Sequence, residues 1–125
     1  MSAKRPVFLD LWRIKLPATG IVSILHRVSG LLMIAAVPVA AALLALSLAG
    51  PEGFAAVAAL LEHWLAKVAL VVLAWSLAHH LFAGIRHLFL DIGIGLDRPV
   101  ARTSARAAIT VAVAAVLIGG GVILL

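Results

Sequence analysis

The chain has no cysteine, no tyrosine and only five acidic side chains among 125 residues. Without cysteine there is no disulfide, no thiolate nucleophile and no cysteine-held iron–sulfur cluster. With three tryptophans and no tyrosine, few side chains could carry an electron, so redox chemistry here requires a bound cofactor. Charged residues make up 12% of the chain and hydrophobic ones 65%. A soluble domain of this length lacks the interior to hide so much apolar surface. In a bilayer the same side chains can face outward. The net charge of +5 points to membrane topology rather than nucleic acid, because no soluble basic face exists to carry it.

A hydrocarbon core about 30 Å thick takes about 20 apolar residues as helix. Val28 to Ala49 supplies one such run, with the helix starting near Ile21. Gly50-Pro51-Glu52-Gly53 reads as a turn. A second span runs from about Trp64 to Leu90, and Gly93 through Pro99 forms the next connection. Ala107 to Leu125 is the third apolar run. The expectation is an all-α, integral membrane subunit of three transmembrane helices, at about 21–49, 62–91 and 105–125. Pro38 and Gly119-Gly120-Gly121 read as packing features, and Trp12, Trp64 and Trp75 as two interface anchors and one core residue.

Residues 1–20 hold Lys4, Arg5, Asp10, Arg13 and Lys15 with no apolar core, unlike a cleavable signal. They read as an interfacial segment that Pro17 separates from the first span. Basic residues gather before the first span and around the second connection, which marks both as cytoplasmic. The first connection and the carboxyl terminus are then expected outside.

Two clusters of ionisable residues interrupt these spans. Ser23, His26 and Arg27 sit at the mouth of the first, and His79, His80, Arg86, His87 and Asp91 lie toward the end of the second. Each charged group in hydrocarbon costs roughly 2.5–3.5 kcal/mol on insertion scales, so such residues face a cofactor, a partner or a substrate path. Helical spacing puts His80, Gly84, His87 and Asp91 on one stripe, while His79 points about 100° away. Gly84 leaves room for a flat ligand beside the backbone, which suits haem ligation by His80. A bare packing role is the alternative, and three histidines with an arginine in nine residues weigh against it.

His80 and His87 share one helix, about 10 Å apart in rise, so they cannot sandwich one haem. Counted from Ile21 and Leu90, His80 lies about 15 Å deep, His26 about 8 Å and Met33 about 18 Å. His26 is thus too shallow for a second axial ligand, and Met33 is level but commonly plain core. The second ligand is expected from a partner chain. Ser23 and Arg27, four apart, face one direction and suit either quinone carbonyls or a haem propionate. Snorkelling of Arg27 to the headgroups is the bland rival.

With these residues in place, the chain resembles the cytochrome b556 membrane-anchor subunits of bacterial succinate dehydrogenase. The matching segments are Arg5-Pro6-Val7, Leu9-Asp10-Leu11, Ser23 through Gly30 (SILHRVSG), Pro51-Glu52-Gly53-Phe54, and His80 through Asp91 (HLFAGIRHLFLD). The resemblance implies that His80 is an axial ligand of haem b, with the other ligand on a second anchor subunit. It implies Ser23 and Arg27 at the ubiquinone site, and His26, Arg27 and His87 near the haem propionates. It also implies a flavoprotein and an iron–sulfur subunit as partners, with electrons passing from succinate to ubiquinone. His26 or Asp91 could relay the protons that quinone reduction needs. Three rivals stand beside this: a quinol:fumarate reductase anchor, a small proton or ion carrier using the histidine stripe, and a haem-free adaptor.

Overall fold

The computed structural model describes residues 14–124. Sequence expectations that fall on residues 1–13 lie outside the described residues, including the basic amino-terminal residues and Trp12. The described residues form four helices: α1 (Ala18–Leu48), α2 (Pro51–Glu62), α3 (Trp64–Asp91) and α4 (Arg98–Leu124). Three of them, α1, α3 and α4, are long and apolar enough to cross a membrane.

The fourth helix, α2, departs from the three-helix expectation. Gly50 at φ 147° breaks the chain after α1, and Pro51 then occupies the start of a new helix with Glu52 in its first turn. Proline there loses no hydrogen bond, since that N–H is an orphan anyway, and the carboxylate complements the positive helix end. The residues read as breakers therefore start a helix. Gly53 lets α2 close onto α1, because a Cβ at that position would collide with the Leu46 carbonyl oxygen.

The second connection is as tight as its glycines allow. Gly93 lies at φ 83°, its N–H donates to Leu90 O at 3.0 Å, and the Ile94 N–H donates to Phe89 O at 2.9 Å. This pair of bonds is a Schellman cap, which satisfies carbonyls that end α3 and needs a left-handed residue. The chain then turns back into α4. Pro17, Thr19, Leu96, Arg98, Ala101 and Arg102 line one small cavity. The start of α1, the end of α3 and the start of α4 therefore share one end of the bundle.

Packing is close and inverted. The buried apolar residues are Val22, Val57, Ala83, Ala105, Ala108 and Ala112, mostly alanine, beside buried Ser29, Ser76, His79 and Arg86. The large apolar side chains point away from the protein, with Leu31, Ile34, Leu117 and Ile118 about two-thirds or more exposed. Helices in lipid gain nothing by hiding leucine from water, so they meet through small residues and polar contacts instead.

Candidate functional site: an imidazole cluster between the first and third helices

His26 of α1 and two histidines of α3 converge. The His26 and His80 rings stack with centroids 4.0 Å apart and planes 16° apart. His87 is tilted against His26 at 5.0 Å. The depth count from the sequence, which made His26 too shallow to reach His80, is corrected here. It assumed flush helix ends with α1 starting at Ile21. The helix begins at Ala18, and the register between α1 and α3 brings the two rings level.

The polar contacts of His80 fix its chemistry. The Ser29 hydroxyl donates to His26 O at 2.8 Å, which uses its only hydrogen. The contact of His80 Nδ1 with Ser29 Oγ at 3.2 Å must then be Nδ1–H donating, as must its contact with His26 O at 3.1 Å. With the proton on Nδ1, the lone pair of the neutral ring is on Nε2, which makes no hydrogen bond among the described residues. A metal-binding histidine is commonly held this way, through its other nitrogen on a carbonyl. The His80 ring also lines an apolar groove of about 600 Å³ with Gly30, Met33, Val37, Leu73 and Leu77.

The two glycines of the site divide the work. A Cβ on Gly30 would lie 2.9 Å from His80 Cε1, so Gly30 makes the space in which that ring stands. A Cβ on Gly84 would lie 3.4 Å from His26 Nε2, so the bare backbone at Gly84 faces His26. Ser29 and Gly30 were within the SILHRVSG segment but had no assigned role. Ser29 is three residues from His26 and shares its helix face, which is the signal that could have found it.

Ser23 is half-buried and Arg27 exposed, and neither is hydrogen-bonded through its side chain to another described residue. They lie on α1 one to three residues before or after His26, at the end of the bundle shared by the α3–α4 turn. Asp91 is exposed at the end of α3.

Two members of the histidine and arginine group prove to be elsewhere. His79 is fully buried and stacks on Trp75 at 5.2 Å, with neither ring nitrogen within hydrogen-bonding geometry of a described residue. Arg86 is 8% exposed and turns toward α4, where Nε donates to Ser104 Oγ at 3.0 Å and Nη2 to Ala101 O at 3.2 Å. Arg86 therefore ties α3 to α4 rather than joining the imidazoles. Its partner Ser104 was not anticipated.

Residues 1–119 match the family described as succinate dehydrogenase/fumarate reductase transmembrane subunit. The chain is 38% identical over 122 residues to the succinate dehydrogenase cytochrome b556 subunit of Coxiella burnetii, covering 96% of this chain and 97% of that protein. The corresponding subunit of Paracoccus denitrificans is 34% identical over 105 residues, covering 84% and 81%. That of Rickettsia felis is 36% identical over 94 residues, covering 75% and 73%. A multi-pass helical chain that matches over nearly its whole length belongs to the succinate dehydrogenase/fumarate reductase transmembrane subunit family.

Proposed function

We propose that this chain is the haem b-binding and ubiquinone-binding membrane anchor of a succinate:quinone oxidoreductase. The observation that carries the proposal is His80, whose Nδ1–H is held by Ser29 and the His26 carbonyl beside an apolar groove. The donor set fits haem: a neutral imidazole with a free Nε2, small residues around it, and an apolar wall of suitable size. When bound, haem b supplies a one-electron carrier between the soluble subunits and the membrane. Its iron would be held by His80, and its propionates by the His26, Arg27 and His87 side. Gly30 leaves the space in which the His80 ring stands, and Gly84 leaves the space beside His26.

His26 is a poor second axial ligand despite being level with His80. The His26 ring lies flat against the His80 ring rather than in front of its free Nε2, so the two would not hold one iron together. The second ligand comes from a partner anchor subunit, with Met33, which lines the same groove, as the rival within this chain. Among the described residues none in the apolar window of α1 is fully buried, which supports a partner against that helix.

Ser23 and Arg27 bind the quinone. The hydroxyl and the guanidinium are both donors, and both suit carbonyl oxygens on a ring entering from the bilayer. Electrons released from succinate in a flavoprotein subunit reach this site through an iron–sulfur subunit. His26 or Asp91, linked by water, delivers the protons. The basic residues around this end of the bundle support a cytoplasmic side for it in a bacterial inner membrane, with the end of α4 periplasmic. The same parts serve a quinol:fumarate reductase, which the family description also covers.

The test is a reduced-minus-oxidised spectrum and a pyridine haemochrome assay on the purified complex. One low-spin b-type haem for each copy of this chain is expected. A complex that reduces ubiquinone and contains no haem would remove His80 from its role, and a purified chain that moves protons without soluble subunits would favour the carrier reading.

A further inference from the structure

On the face of the bundle formed by α3 and α4, a groove of about 460 Å³ runs along Phe82, Arg86, Phe89, Val100, Ser104 and Val111. Its walls are apolar except for Arg86 and Ser104. Arg86 is a buried cation with an open edge. Nε and Nη2 are engaged by Ser104 and Ala101, Nη1 bonds to no described residue, and the side chain lines the groove. Among the described residues no carboxylate lies within ion-pair distance of it. An uncompensated guanidinium in a membrane helix is costly, and an anion relieves the cost.

We propose that this groove holds one phospholipid, with its phosphate on Arg86 Nη1 and an acyl chain along the apolar wall. Depth supports that occupant. Arg86 is five residues from the end of α3 and Ser104 six from the start of α4, roughly 7–9 Å below the helix ends. From Ser104 the wall continues to Val111, roughly 10 Å further toward the bilayer centre. The groove is apolar on the turn side of Arg86 and Ser104, at Phe89, Ile94 and Val100, and again below them to Val111, so the one charged point for a phosphate has an apolar wall beneath it for an acyl chain. Basic pockets between transmembrane helices bind anionic headgroups in this manner. A quinone head is neutral and would leave the guanidinium uncompensated. The site is separate from the imidazole cluster and does not depend on haem or quinone binding there.

The test uses the purified complex, stripped of lipid and titrated with phosphatidylglycerol or with diacylglycerol of the same acyl chains. Native mass spectrometry counts the bound lipid and confirms that all subunits are present. Phosphatidylglycerol should be held about tenfold more tightly than diacylglycerol, the size expected of one charge-assisted contact. Arg86→Gln should bring the two lipids close to equality. Ala107→Phe, which fills the groove and leaves Arg86 in place, should remove one bound lipid of either kind. Equal affinity for both lipids in the unaltered complex would overturn the proposal. So would phosphatidylglycerol binding that neither variant changes. Loss of a subunit on Ala107→Phe with lipid counts unchanged would also overturn it, assigning the groove to a protein helix.

Discussion

The contact between α3 and α4 and the contact between α1 and α3 use similar residues and finish differently. Where α3 meets α4, alanines bring the backbones together and Arg86 finds Ser104 and a carbonyl within the same chain. Where α1 meets α3, three imidazoles crowd together, and His80 is held on one nitrogen only. Ser23 and Arg27 remain without side-chain hydrogen bonds to described residues, and no residue in the apolar window of α1 is fully buried by the described residues. Apart from one edge of Arg86, the first side meets its polar needs within the chain; the other is half of something. In lipid a polar group left without a partner is expensive, which is why the proposed haem and second subunit are assigned to the incomplete side.

The largest effect should come from removing the half-held ligand. His80→Leu should abolish haem binding, measured by pyridine haemochrome on the purified complex. His79→Leu should retain the haem, and its fully buried ring with two unbonded nitrogens makes replacement by leucine close to neutral or stabilising. Equal haem loss in both variants would break the comparison at its centre.

Next in size is the isolated chain. Expressed without partners, it should insert with three spans and form no stable low-spin haem site, and adding the second anchor subunit should restore the low-spin spectrum. Firm low-spin haem in the chain alone would make the α1–α3 side complete after all and point to Met33.

Arg27→Leu should lower ubiquinone reduction much more than electron transfer to an artificial dye, because dyes draw electrons from the soluble part. Ser23→Ala should show the same pattern more weakly, since one neutral hydrogen bond contributes about 1 kcal/mol, roughly fivefold. Parallel loss of both activities would mark Arg27 as an assembly residue. The smallest effect belongs to the finished side. Ser104→Ala should destabilise the α3–α4 contact by about 1 kcal/mol, seen as a lower thermal midpoint in detergent, with the haem spectrum unchanged. A spectral shift in that variant would show that the two sides are coupled.

Much of this was legible in the chain. Apolar length gave the three spans, and Gly93 with the following residues marked the end of α3. The turn signal at Gly50-Pro51 misled, because the same proline and Glu52 also open a helix, and only the chain's path decides between them. The members of the imidazole cluster were visible, as was the outward turn of His79 from the stripe. Their distances were not. Counting residues gives depth along one helix, but the sliding register of α1 against α3 comes from side-chain packing at Ser29, Gly30 and Gly84, which no count contains. Arg86 was grouped with the histidines; its offset of about 120° from His80 around the helix turns it instead to Ser104, on a helix whose orientation the sequence leaves open.

The inverted packing also sets which positions can drift. Leu117 and Ile118, among the most hydrophobic residues of α4, are about three-quarters exposed and can exchange with valine or phenylalanine wherever lipid is their only neighbour. Ala83 and Ala105, fully buried, cannot gain even a methyl pair without parting the helices they join. A saturation-mutagenesis map of this chain would therefore look like that of a water-soluble protein turned inside out, with the greasiest positions the most replaceable and the smallest the least.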